Sequence, residues 1–147
     1  MAVGNTVLGV EELNKDFQRL EAAAAAKIMR SAAGYAFTPV LSNIKANAPV
    51  SEKAHTTRRD RIVTPGFLKR NLVKKTKVSR DKSRAFVSIF PKPEAFYGFV
   101  FVPGGITRFG KGSPNDFATR GFEAAEGQAI QRFSEKMKIE IEKAAAK

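Results

Sequence analysis

The sequence predicts an α+β fold with a long N-terminal helix kinked near Pro39, a small antiparallel sheet of about three to four strands, and a long C-terminal amphipathic helix. Near both ends of the chain, apolar residues recur at steps of three and four, which is the spacing of one helix face. Between these regions, period-two alternation bounded by turn residues indicates strands. The 147 residues are the size of one domain. We therefore expect a single domain over residues 1–147.

The N-terminal helix is predicted to run from about Val10 to Ala33 and to continue from Pro39 to Asn47. A proline at position 39 removes a backbone donor and clashes with the preceding turn, so a kink is expected there. Pro49 then ends the helix. The apolar stripe of the first part consists of Val10, Leu13, Phe17, Leu20, Ala24 and Ile28.

Three strands are expected after the helix, at Leu72–Val78, Ala85–Phe90 and Phe96–Val102, with a hairpin turn at Arg80–Ser83. The third strand is apolar on both faces, because the residues at both parities of its period-two pattern are apolar or aromatic. The protein's own helices can cover one of these faces. We expect the other face to meet a neighbouring molecule.

A glycine-rich loop at about 103–114 is predicted to follow the third strand. The run Ser113-Pro114-Asn115-Asp116 is a helix-start signal, since Asn or Asp caps the free amides of a first turn. The helix after it is expected to be about thirty residues long. Its apolar stripe consists of Phe122, Ala125, Ala129, Phe133, Met137 and Ile141.

The net charge of +12 is concentrated in the middle of the chain. Residues 51–84 hold twelve cations and three acids, which is nine of the net charges. Residues 51–66 have few large apolar side chains, so they are predicted to form an exposed basic loop or arm. Its cations bind either nucleic-acid phosphates or acidic surfaces of neighbouring subunits, or they form a solvated surface. Only Phe67 is aromatic within 51–84, which favours assembly over base stacking. The cations singled out for this arm are Arg58, Arg59, Arg61, Lys69 and Arg70.

The sequence offers no residues for catalysis, so we predict no enzyme, no metal and no cofactor. The chain has no cysteine, which excludes disulfides and thiolate chemistry. His55 is the only histidine and is expected on the surface of the basic loop. The glycines around Lys111 depart from a phosphate-binding loop, because Gly112 stands where that motif requires Ser or Thr. No secretory signal and no membrane-spanning run of apolar residues are expected.

Four short motifs occur in a fixed order along the chain. They are Ala48-Pro49, Thr64-Pro65-Gly66-Phe67-Leu68, Tyr97-Gly98-Phe99-Val100-Phe101 and Pro114-Asn115-Asp116-Phe117. In this order the chain resembles the tail-completion or neck family of tailed bacteriophages, the small head-tail connector proteins of lambdoid-type siphoviruses. Two departures are clear: Pro65 lies inside the family's usual Thr-Gly, and Val102 stands where the family commonly has Glu.

The resemblance implies a noncatalytic virion protein at the head-tail junction, assembled in the host cytoplasm. It implies a homo-oligomeric ring between a portal or adaptor protein and the tail terminator or tail tube, with double-stranded DNA passing through the lumen. A hexamer is favoured over a dodecamer. The expected subunit or partner contacts are Phe99, Phe101, Gly104, Gly105 and Phe117, and the basic arm is expected to reach a neighbour or the lumen. The alternative function is a basic nucleic-acid-binding protein.

Overall fold

The computed structural model describes residues 10–18, 20–56, 60–95, 106–107, 110–111 and 117–147. These residues form helices and small two-stranded sheets, and the chain ends in a helix of 29 residues. The predicted mixed class and the long C-terminal helix are therefore confirmed. The elements are α1 (Val10–Gln18), α2 (Ala22–Ala36), α3 (Thr38–Asn47), β1 (His55–Thr56), β2 (Ile62–Val63), α4 (Phe67–Arg70), β3 (Leu72–Val78), β4 (Ala85–Pro91), β5 (Ile106–Thr107), β6 (Gly110–Lys111) and α5 (Phe117–Ala145).

The N-terminal region consists of three helices rather than one bent helix. Between α1 and α2, Glu21 has an extended ψ of 141° and precedes the first turn of α2. The second break falls at Phe37, two residues before the predicted kink. Pro39 itself lies in the first turn of α3, where a backbone N–H has no helical acceptor and its absence costs little.

The β3–β4 hairpin confirms two of the predicted strands. Six residues join β3 to β4, and a connection this short requires the strands to be antiparallel. The predicted loops at 51–66 and 103–114 each contain a short antiparallel pair, β1–β2 and β5–β6. The third predicted strand, 96–102, lies outside the described residues, so a sheet of three to four strands stays a prediction.

The chain divides into two compact units. Unit 1 comprises Met1–Phe37, Thr76–Val87 and Gln128–Lys147, and unit 2 comprises Thr38–Lys75 and Ser88–Gly127. Both the β3–β4 hairpin and α5 contribute residues to each unit. The prediction of a single domain over residues 1–147 stays a prediction.

Unit 1 is built on α2 and the second part of α5. Ile28 and Ala32 of α2 form a buried cluster with Met137 and Ile141 of α5. Ala32 has no exposed surface, and its small side chain allows close packing in this cluster. Partly buried apolar side chains on either side of the α1–α2 break complete this cluster, together with two from α5: Phe17, Leu20, Phe133 and Ala144.

Unit 2 is built on α3 and the first part of α5. Val40 of α3 is fully buried, and Ile44 is 5% exposed. A Cβ atom added to Gly121 of α5 would lie 2.6 Å from the Ile44 Cα atom, so the two helix backbones touch there. Phe122, which the sequence pattern assigned to the buried stripe, is 38% exposed, and Gly121 takes the buried position. The buried residues of α5 fall at steps of four along the helix: Phe117, Gly121, Ala125, Ala129, Met137 and Ile141, with Phe133 half-buried.

Candidate functional site: a basic arm and a basic hairpin

We searched the described part of the chain for clusters of metal-ligating side chains and for buried polar groups. It contains no group of three or more His, Asp or Glu side chains close enough to hold a metal ion. Among the residues whose burial is described, no polar or charged side chain is buried as a whole. His55 is exposed on β1. Of the described helices, none is long and apolar enough to cross a bilayer.

The Thr64–Phe67 segment forms a type II turn that carries the chain into α4. The Phe67 N–H donates to the Thr64 carbonyl at 3.0 Å. Pro65 and Gly66 occupy the two central positions, and Gly66 has a φ of 76°, which favours glycine over any other residue. The proline inside the Thr-Gly motif therefore suits this turn, because its fixed φ matches the first central position.

Arg70, one of the predicted arm cations, holds that turn closed. Its Nη1 atom donates to the Pro65 carbonyl at 2.9 Å, and its Nη2 atom donates to the Thr64 hydroxyl. The guanidinium group thus has a structural task within unit 2. Lys69, also predicted for the arm, is exposed on α4.

The arm itself is the β1–β2 pair, in which His55 lies opposite Val63 and Thr56 lies opposite Ile62. Val63 is 4% exposed and anchors the base of the arm, whereas Ile62 is 70% exposed. Arg61 is exposed beside it. Arg58 and Arg59 lie outside the described residues.

A shallow groove of about 360 Å³ lies in unit 2 beside the arm. Val50, at its edge, is 54% exposed. The groove is lined mostly by apolar side chains and backbone: Pro49, Val50, Ser51, His55, Val63, Thr64, Gly66, Phe67 and Leu68.

The β3–β4 hairpin places an aromatic ring among cations. The Ser79 N–H donates to the Arg84 carbonyl at one end of the hairpin, and the Lys92 N–H donates to the Asn71 carbonyl at the other. Counting inward from either bond puts Lys77 opposite Phe86, on the same face of the pair. Both side chains are exposed, Phe86 by 53%. The hairpin therefore has an exposed face of mixed aromatic and basic character.

The turn between β3 and β4 is held by Asp81. Its carboxylate accepts hydrogen bonds from the Ser79 hydroxyl, from the Ser83 hydroxyl at 2.7 Å and from the Ser83 N–H at 3.2 Å. These hydrogen bonds lower the pKa of Asp81 from 3.8 to about 2, and the bond from the Ser79 hydroxyl has the largest effect, followed by those from Ser83. The acid is thus occupied within the turn.

We expect these hydrogen bonds to hold the turn down to strongly acidic pH. A lowered pKa means that Asp81 stabilises the turn fully above the ordinary value of 3.8 and that this stabilisation is lost as the pH falls through about 2. The measurement is an NMR titration of the Asp81 side-chain carboxyl carbon. In the Ser79→Ala, Ser83→Ala double variant, the midpoint should rise toward 3.8. A wild-type midpoint already near 3.8 would contradict the prediction.

Of the predicted subunit contacts, Phe99, Phe101, Gly104 and Gly105 lie outside the described residues. Phe117 is described and is 2% exposed inside unit 2, so its ring packs within its own chain. Its role in a subunit contact stays a prediction.

Sequence reasoning missed two features of these surfaces. Phe86 lies just beyond the basic segment in sequence, and only strand register places it beside Lys77. In unit 1, the Arg132 guanidinium lies 3.9 Å from the centre of the Tyr35 ring, a cation–π contact between residues far apart in the chain. The alternation of β4 was a signal for the first, and no local pattern indicates the second.

Comparison with known proteins adds no relative to this picture. No protein-family model, curated protein or solved structure matches the chain. Among the described residues, the arm and groove expose apolar side chains, and the hairpin exposes Phe86 together with the cation Lys77.

Proposed function

We propose that the protein is a structural component of a tailed-bacteriophage neck that forms a homo-oligomeric ring between a portal or adaptor complex and the tail tube. The order of its motifs supports this proposal, as does the order of the described elements: helices, an arm, a turn into a short helix, a hairpin and a long final helix. Six copies are favoured over twelve. In this proposal the ring's lumen passes double-stranded DNA.

The observation that carries the proposal is the exposure of Ile62. Ile62 of β2 is 70% exposed and adds to the apolar surface that the neighbouring groove presents, and a combined apolar surface of this kind marks an interaction site. The arm has only two strands among the described residues, so it offers an open edge as well as an apolar side chain. An arm of this kind suits a head-to-tail contact, the type of contact that closes a ring.

The groove beside the arm supports the same type of contact. In a ring, each subunit presents two different surfaces, one to each neighbour. In unit 2, Ile62 on the arm and Val50 at the groove edge are the exposed apolar side chains that we propose for these contacts. We further propose that the strand at 96–102 extends the sheet and that its second apolar face contributes to the subunit contact.

We expect Ile62→Asp to prevent ring formation without unfolding the chain. A carboxylate buried at a subunit contact lacks a partner, so association should weaken by at least about 100-fold. The measurement is sedimentation velocity on the purified protein, alone and mixed with tail-tube proteins, with circular dichroism as the check on folding.

The matched control is Ile62→Leu, which keeps the apolar volume and should still assemble. A wild-type chain that stays monomeric both alone and with tail-tube proteins contradicts the proposal. Assembly of Ile62→Asp with wild-type affinity contradicts the assignment of the contact to the arm.

A further inference from the structure

The tip of the β3–β4 hairpin concentrates positive charge within unit 1. Residues 77–84 hold four cations and one acid. The acid, Asp81, is engaged with Ser79 and Ser83. Glu140 of α5 forms ion pairs with Lys136 and Lys143 and not with a hairpin cation. With four cations and one acid, residues 77–84 carry a net charge of +3. The four cations are Lys77, Arg80, Lys82 and Arg84.

The conformation of Lys82 adds to the argument that charge matters here. Its φ is 60°, in the left-handed region where Gly or Asn is favoured. A lysine at such a position is conformationally unfavourable and adds no core contact, since its side chain is only half-buried. The tip thus keeps a cation where local geometry favours an uncharged residue.

Phe86 gives this charged surface a second chemical character. It lies opposite Lys77 on the exposed face, and about half of its surface faces water. Cations at the tip attract any polyanion. An exposed ring beside them distinguishes nucleic acid from an acidic protein, because bases stack on an aromatic face and carboxylates do not.

We propose that the hairpin tip binds single-stranded nucleic acid, with the four cations contacting phosphates and the Phe86 ring stacking on a base. Single strands are favoured over a duplex because the bases of a duplex already stack on one another and do not reach a protein ring. The proposal does not depend on ring formation. It concerns residues 77–86, which are separate from the arm that carries the proposed subunit contact.

Fluorescence anisotropy with a labelled oligothymidine of about 20 nucleotides tests the proposal on the full chain. We expect binding at low salt, with the logarithm of the affinity falling linearly with the logarithm of the salt concentration. A duplex of equal length should bind more weakly at each salt concentration. Absence of oligothymidine binding at low salt overturns the proposal. Equal binding of polyglutamate also overturns it and indicates an acidic protein partner.

Substitutions of Phe86 separate the contribution of base stacking from the contribution of charge. Phe86→Leu keeps an apolar side chain without a π face and should weaken oligothymidine binding by about tenfold, whereas Phe86→Tyr should retain it. Neither change should alter duplex binding by more than about twofold, because charge contacts are unchanged. Equal affinities of the Leu and Tyr variants for oligothymidine overturn the stacking role.

Charge variants need a control of equal net charge. Lys77→Gln with Arg80→Gln should reduce the salt slope by about 1.4, since each phosphate contact on a single strand contributes about 0.7. Lys138→Gln with Lys147→Gln removes two exposed cations from the C-terminal part of the chain and should leave the slope unchanged. If the salt slope falls equally in the two double variants, the assignment of the phosphate contacts to the hairpin is overturned.

Lys82→Gly excludes unfolding as an explanation. Glycine tolerates the left-handed φ at this position, so the variant should be at least as stable to urea as the wild type. It also removes one cation, so its affinity for oligothymidine should fall by about two- to fivefold. Undiminished affinity in this variant contradicts a phosphate contact at Lys82.

Discussion

Gly121→Ala is expected to destabilise the protein by about 2–3 kcal/mol, because overpacking a close backbone contact forces a shift of the helices. A Cβ atom at this position would lie 2.6 Å from both the Cα and the backbone N atoms of Ile44, and 2.8 Å from its Cγ1 atom. Two of these three atoms belong to the backbone, so a change of rotamer cannot relieve the clash. Urea unfolding followed by circular dichroism measures the change in the free energy of unfolding.

Gly127→Ala is the matched control in the same helix. Apart from its chain neighbours and the backbone of its own helix, no described atom lies within 4 Å of a Cβ added at position 127. Alanine is favoured over glycine in a helix interior, so this variant should gain about 0.8–1 kcal/mol in the free energy of unfolding. The two substitutions make the same chemical change and are expected to have opposite signs. If Gly121→Ala stabilises as Gly127→Ala does, the close approach of α3 and α5 is wrong.

Ile141→Ala is expected to cost about 2–4 kcal/mol in the free energy of unfolding. Ile141 is 2% exposed and packs in the unit 1 cluster with Ile28, Ala32 and Met137. Truncation removes buried methyl groups and leaves a cavity, and both effects destabilise. The measurement is the same urea titration, read at the midpoint and at the slope.

Ile139→Ala, two residues away, is the matched control, because it makes the same chemical change at an exposed position. Ile139 is 46% exposed, so the same truncation should cost less than about 1 kcal/mol. Equal costs at the two positions would contradict the orientation of α5 in unit 1. If Ile139→Ala weakens oligomer formation and Ile141→Ala does not, a subunit contact at Ile139 is indicated.

The sequence predicted helices and strands where periodicity is local and strong. Strands β3 and β4 and the long final helix follow directly from alternation and from steps of three and four. The break between α1 and α2 could not be predicted in the same way. Leu20 continues the apolar stripe whether or not the helix is interrupted, so the spacing is the same in both cases.

The burial of Gly121, where the sequence pattern predicted burial of Phe122, shows a second limit of prediction from periodicity. Hydrophobic periodicity favours the larger apolar side chain as the buried one. At this point α5 lies against the backbone of α3, so only a residue without a side chain fits. Identifying such a contact needs the position of a helix far away in the sequence.

For the candidate surfaces, too, only some features could be predicted from the sequence. The basic segment was evident from composition. The turn at Pro65 and Gly66 was not predicted, although these residue types favour it. Which cations are engaged was not evident: Arg70 holds a turn, and Lys74 donates to the Thr38 hydroxyl at 2.7 Å. Side-chain partners of this kind depend on tertiary packing, which one sequence does not specify residue by residue.

The four-residue spacing of buried positions in α5 limits how this helix can change in length. Each step of four residues turns the buried face by about 40°, so within unit 1 the buried positions drift around the helix between Ala129 and Ile141. One residue inserted between Ala129 and Met137 would rotate Met137 and Ile141 by about 100° relative to Ala129. Seven residues, close to two full turns, would restore the phase to within about 20°. In related chains we therefore expect length variation within this helix to come in near-whole turns, while single-residue gaps accumulate in the loops.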